Sequence, residues 1–293
     1  MNISKHKLYS FEEYIVGNKS RHTESIFFNI PDRPNELIKL YTCEDKDYLH
    51  DKKNDAENLM RFGKEFDIPE IITPTDILKV NFKFKGIIIP KLEGKNARVY
   101  LESRKIPIKT KIQILKQIGT ILEKISKLDN CNFAFADVHN DNFFVTKEKS
   151  QIKTYGLDAD SMKMYDSRGR LNFYVSYNDN IKNFEKYGRF GNSTGEASYQ
   201  TDLLCFIMMI LELISDNEKI KSINLDDFYE YLDYLDKLGF NSDLLRCFAN
   251  IYDDSIDNTT PLPYLDYLTI LNEKATWDSF LKHKTLAIRP KLW

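Results

Sequence analysis

The stretch FAFADVHNDNFFVTKEKSQIKTYGLDADS, residues 133 to 161, constrains this chain more than any other. It sets Asp137, His139 and Asn142 within six residues, then Asp158 and Asp160 beyond a Lys-rich turn. Apolar residues flank each group of acids. A solvated surface acid needs no such flanks, whereas an acid held at the end of a buried strand does. The runs NFFVT (142 to 146) and IKTYGL (152 to 157) read as two short strands. The fold must therefore bring polar side chains to the ends of buried apolar strands.

A chain of 293 residues is one large domain or two lobes at about 150 residues per domain. With 42% hydrophobic and 29% charged residues it has the composition of a globular protein, not a disordered one. The 44 acids and 42 bases leave a net charge of -2, which argues against broad attraction to nucleic acid or membrane. Cys43, Cys131, Cys205 and Cys247 form no CxxC pair, so neither structural zinc nor a disulfide framework is expected. Cys205 lies in an apolar run and reads as core. The opening MNISKHKLYSFEEY has no apolar signal core. The longest apolar run, LLCFIMMILELI (203 to 214), spans twelve residues and reads as a buried helix rather than a membrane span. A soluble, cytoplasmic protein is expected.

Along the chain, SIFFNI (25 to 30) and NELIKLY (35 to 41) read as strands joined by the turn PDRP. Ala56, Leu59, Met60 and Gly63 recur at helical spacing, which predicts a helix over 51 to 66. GIIIPKLEG (86 to 94) reads as a buried strand running into a linker. From 107 to 128, Ile112, Leu115, Ile118, Leu122 and Ile125 share one face of an amphipathic helix that starts near Pro107. Further helices are expected at about 199 to 215, 225 to 238, 241 to 253 and 263 to 273. The order is that of an α+β chain: a β-rich lobe over 1 to 90, a linker at 91 to 94, and a helical lobe over 95 to 293.

These residues suit phosphoryl transfer. That chemistry needs a cation for the nucleotide phosphates, oxygen ligands for magnesium, and a carboxylate that orients the attacking hydroxyl and takes its proton. Magnesium prefers few protein carboxylates together with phosphate oxygens. Asp137 with Asn142 five residues on, followed by an apolar strand, resembles the D-x-x-x-x-N catalytic loop of protein kinases. Asp158 resembles the metal-binding acid of D-F-G, and Lys39 in ELIKLY resembles the strand lysine of V-A-I-K. Asp202, before the apolar run, resembles the aspartate that opens a buried helix of the kinase C-lobe. The resemblance covers roughly residues 12 to 275. It implies a bilobal kinase-like fold that uses ATP and Mg2+. Asp137 would be the catalytic base, orienting the acceptor hydroxyl and taking its proton. Asn142 and Asp158 would hold the metal, with Asp160 as a weaker ligand. Glu57 would pair with Lys39. IIIPKLEG would grip adenine, with Ile88 near the gatekeeper position and the backbone of Pro90, Lys91 and Leu92 facing the base. Asp202 would be structural, capping its helix and bonding the catalytic loop.

The sequence departs from that family in several places. Only Gly17 stands where a glycine-rich loop is expected, between about 14 and 28, with Ser20 and Thr23 as further phosphate contacts. Phe135 and Ala136 replace His-Arg, which removes the arginine that receives an activation-loop phosphate. His139 stands where many kinases have lysine, as in aminoglycoside phosphotransferases, and either a phosphate or a backbone carbonyl is its expected partner. The expected acceptor is Ser or Thr of a protein substrate. A small-molecule phosphotransferase, favoured by His139 and Asp160, and a pseudokinase scaffold, favoured by the depleted glycine loop, stand as alternatives.

Overall fold

A computed structural model describes residues 1–14, 25–103, 105–128, 133–148, 151–157, 159, 162, 202, 205, 206, 209, 210, 229, 230, 232, 233, 236 and 245. The architecture is mixed α/β. The chain divides into two compact units, Met1–Asn96 with Phe144–Asp160, and Ala97–Phe143 with Ser161–Trp293. The expected linker at 91 to 94 falls within two residues of the first crossing. The hairpin at 143 to 156, expected in the helical lobe, belongs instead with the first unit from Phe144 onward. Backbone pairing is the reason, because residues 144 to 146 add to a strand made by residues 94 to 96.

The first unit is built on a five-stranded sheet. Its elements in chain order are β1 (Asn2–Ile3), α1 (Lys5–Tyr9), β2 (Ser25–Ile30), β3 (Arg33–Tyr41), α2 (Lys46–Glu65), β4 (Asp76–Val80) and β5 (Lys83–Pro90), and the strand order is β1-β4-β5-β3-β2. The strand read from 35 to 41 begins two residues earlier, and the turn contracts to Pro31 and Asp32. Residues 12 to 14 run antiparallel to β2, with the Tyr14 N–H donating to the Phe27 carbonyl at 2.8 Å. Gly17, Ser20 and Thr23 lie outside the described residues.

Sheet register separates two faces, because residues directly opposite on paired strands share a face. Ile38 lies opposite Ile88. Both belong to an apolar cluster with Phe28, Leu40, Leu78, Val80 and Leu8. Lys39 lies opposite Ile87 and so is on the other face. Tyr41, two residues on, shares that face and meets Tyr48 of α2 edge to face at 6.2 Å between ring centres. Thus α2 covers the Lys39 face. It turns Ala56, Leu59 and Phe62 inward. The helix starts five residues before its expected position because Asp45 caps it, accepting from the Tyr48 N–H at 2.8 Å. Gly86 allows β5 to lie close against β3, since a Cβ there would meet the Lys39 carbonyl oxygen at 2.1 Å.

A second sheet follows the order β6-β7-β8, from β6 (Gly94–Asn96), β7 (Phe143–Glu148) and β8 (Gln151–Gly156). Between β6 and β7 come α3 (Ala97–Leu101) and the long helix α4 (Ile108–Ser126). Pro107 is the N-cap of α4, and Ile112, Leu115, Ile118, Leu122 and Ile125 are all buried. The short elements β1, α1, β4, β6 and α3 have too few apolar repeats to announce themselves in sequence. Asp202, Cys205, Phe206, Met209 and Ile210 are helical and buried, at the i, i+3, i+4, i+7, i+8 spacing of one helix face. Tyr229, Glu230, Leu232, Asp233, Asp236 and Leu245 are also helical. The helix expected at 263 to 273 lies outside the described residues. Among the described residues, no helix is long and apolar enough to cross a membrane.

Candidate functional site

The loop from Asp137 to Asn142 lies between two anchors. Phe135 before it and Phe143 after it are fully buried, and their rings stack at 5.2 Å and 20°. This is what the apolar flanks are for. Two large side chains in the core fix both ends of a short polar loop. Between them the chain makes a sharp turn. Ala136 adopts a left-handed φ of 73°, a conformation that an alanine holds only when its surroundings impose it.

Asp202 imposes it. Its carboxylate accepts from the Phe135 N–H at 2.6 Å and from the Ala136 N–H at 2.8 Å. The carboxyl is buried, and desolvation pushes its pKa up to about 7. The two backbone donors pull the other way, and the nearby Asp137 charge adds to the rise. Asp202 therefore bonds the loop, the contact that its place in the sequence suggests.

Within the loop, several bonds are local. The Asn142 amide Nδ2 donates to the Asp137 carbonyl at 2.9 Å and to Asp137 Oδ2 at 2.8 Å. Both partners are acceptors only, so the orientation of the amide is fixed and Oδ1 points away from them. The Asn142 N–H donates to the His139 carbonyl at 3.0 Å. His139 Nδ1 accepts from the Asp141 N–H at 3.2 Å, and Nε2 stands 3.3 Å from Asp137 Oδ2. The expected partner of His139 was a phosphate or a backbone carbonyl. The observed partners are a backbone N–H and the Asp137 carboxylate. From α3, Arg98 reaches Asp141 Oδ2 through Nη2 at 2.6 Å and donates its backbone N–H to the Asn140 carbonyl at 3.1 Å. Sequence reasoning missed Arg98, because α3 has no periodic signal and Arg98 and Asp141 are 43 residues apart.

In the first unit, Lys39 is buried on β3 and its Nζ lies 5.7 Å from the centre of the Tyr41 ring. Two expectations there need correction, those for Glu57 and the Lys91 N–H, and register adds the face of Ile88. Glu57 does not pair with Lys39. It is half-exposed and pairs with Lys53 at 3.3 Å, one turn away on α2, because the helix phase that buries Ala56 turns residue 57 outward. Ile88 does not share the Lys39 face. Ile87 and Ile89 do, since they lie opposite Lys39 and Leu37. A run of three isoleucines shows no alternation, so its parity was not readable. The Lys91 N–H does not face a base, because it donates to the Asn35 carbonyl at 2.8 Å. Its Nζ donates to Asn29 Oδ1 at 2.8 Å and lies 4.9 Å over the Tyr14 ring. Leu92 is half-buried on the irregular stretch before β6 and makes no hydrogen bond with the described residues.

Asp158 and Asp160 lie outside the described residues. Among the described residues no three His, Cys, Asp or Glu side chains gather as a metal site. Asn142 Oδ1 is a hard oxygen of the kind magnesium takes, beside the Asp137 carboxylate. No protein-family model matches the chain and no curated protein matches it, so its function rests on the residues themselves.

Proposed function

We propose that this chain is an ATP-dependent phosphotransferase of bilobal, protein-kinase-like fold, acting on a hydroxyl, with Ser or Thr of a protein as acceptor. The observation that carries the reading is the geometry of Asp137 and Asn142. One amide holds the carboxylate through Nδ2, and the same bond turns its own Oδ1 away as a metal ligand.

Asp137 orients the acceptor hydroxyl and takes its proton, a role suited to a carboxylate only about a third exposed and fixed by a neighbouring donor. Asn142 and Asp158 hold magnesium, with Asp160 as a weaker ligand. Magnesium supplies positive charge against the phosphate oxygens when bound. Lys39, buried on β3, neutralises the phosphates of ATP, and the backbone of Leu92 accompanies the base. Asp202 holds the turn at Ala136 that presents Asp137.

The test is incubation with γ-labelled ATP and magnesium, with and without a generic protein substrate, beside Asp137→Asn. Label should enter protein and fall by about 10²- to 10⁴-fold in the variant, the range for loss of a general base. Label that appears only with a sugar or antibiotic acceptor would move the acceptor to small molecules. Undiminished transfer in Asp137→Asn would sink the assignment of Asp137.

A further inference from the structure

We propose that Arg98, Asp141 and His139 form a positioning relay that ends on the Asp137 carboxylate. The inference rests on the reading of Asp137 as the group that takes the acceptor proton.

The relay starts from a bond that sets a tautomer. The Asp141 N–H donates to His139 Nδ1 at 3.2 Å. A backbone N–H is always a donor, so Nδ1 must present a lone pair. The single proton of the neutral ring then sits on Nε2. That nitrogen stands 3.3 Å from Asp137 Oδ2. The ring thus brings its N–H within 3.3 Å of the oxygen that takes the Asn142 amide at 2.8 Å, an electrostatic approach rather than a directed hydrogen bond. The Asn142 amide and the His139 ring approach one oxygen from two sides, one by a hydrogen bond and one electrostatically.

The amide that sets the tautomer is itself held from another element. Arg98 on α3 pairs with the Asp141 carboxylate at 2.6 Å, and its N–H donates to the Asn140 carbonyl at 3.1 Å. A side chain and a backbone group of one residue therefore grip successive residues of the loop. Glu102, one turn on in sequence, lies 3.6 Å from Arg98 Nε as an exposed ion pair. His139 and Arg98 are positioning residues. Neither needs to touch the nucleotide.

Two readouts separate this relay from the reading it rests on. The first is the ¹H–¹⁵N long-range spectrum of the His139 ring in the full chain. The wild type should show the Nε2–H tautomer. Asp137→Asn should shift the Nε2 signal, and Arg98→Ala should mix the tautomers. An Nδ1–H ring in the wild type, or a ring signal indifferent to both substitutions, would overturn the relay even if the wild type transferred no phosphate. The second is kinetic. His139→Ala should lower kcat about ten- to a hundredfold, the scale of a modest misplacement, with KM for ATP changed less than twofold. His139→Gln retains an N–H donor and should recover part of the loss. Arg98→Ala combined with His139→Ala should lose no more than His139→Ala alone. An unchanged kcat in His139→Ala, with an unfolding midpoint equal to wild type, would overturn the relay while leaving Asp137 in place.

Discussion

The loop from Asp137 to Asn142 and the strand that carries Lys39 both hold a charged side chain in a largely buried setting, by different means. In the loop, partners lie two and five residues apart, and two distant side chains complete the setting: Asp202 locks the turn and Arg98 holds Asp141. In the strand, the Lys39 Nζ lies 5.7 Å from the Tyr41 ring two residues on, and the burial is set by more distant segments. Lys39 is buried because register sets it opposite Ile87 and because α2 covers that face. Short spacing makes the loop's contacts a property of the local chain. The strand's contacts depend on two phases, that of the sheet and that of the helix, and a one-residue change in either reverses the result. Glu57 illustrates this. It lies one residue beyond the buried Ala56 and faces out.

The largest effect expected from this contrast is at Asp202. Its raised pKa means that the folded state holds the proton more tightly than the unfolded chain does. That contribution to stability is complete below the ordinary value of 3.8 and is lost as pH rises through about 7. At about 1.4 kcal/mol per unit, the loss across the window is on the order of 4 kcal/mol. Urea unfolding from pH 4 to 8 should show stability falling with pH in the wild type and a flatter profile in Asp202→Asn. Identical slopes in the two proteins would break the assignment of the lock to this carboxyl.

Next in size is the separation of Lys39 from Glu57. Lys39→Ala should lower phosphoryl transfer on the order of 10²-fold, the scale of one lost charge-stabilising group. Glu57→Gln should stay within twofold of wild type, because an exposed i, i+4 pair contributes only about 0.3–0.5 kcal/mol. Steady-state assays of both variants check this. A loss in Glu57→Gln that matched the loss in Lys39→Ala would restore the pair that the helix phase excludes.

The smallest effect concerns strain. Ala136 has a positive φ where Asp202 pins it, and Phe82 has one, at 64°, in the exposed turn between β4 and β5. The Phe82 ring is 84% exposed and contributes little burial. Phe82→Gly should therefore raise stability by about 1 kcal/mol through relief of the left-handed backbone. Thermal unfolding would show it as a raised midpoint. A lower midpoint would mean that the ring has packing the turn depends on.

Much of this molecule is legible in its sequence. The long helix α4 announces itself because five apolar residues fall on one face of a 3.6-residue period, and all five are buried. The hairpin β7–β8 is readable because its two apolar runs flank a polar turn. The grouping of Asp137, His139 and Asn142 follows from six consecutive residues, which any tight turn brings within reach. These are properties of neighbours in the chain, and neighbours need little help from the rest of the fold. The parity of Ile87, Ile88 and Ile89, the outward turn of Glu57, the commitment of the Lys91 amide to Asn35 and the reach of Arg98 to Asp141 belong to another class. Each is settled by where a second segment lies and at what register. That placement comes from packing distant apolar faces together, and no local pattern encodes it.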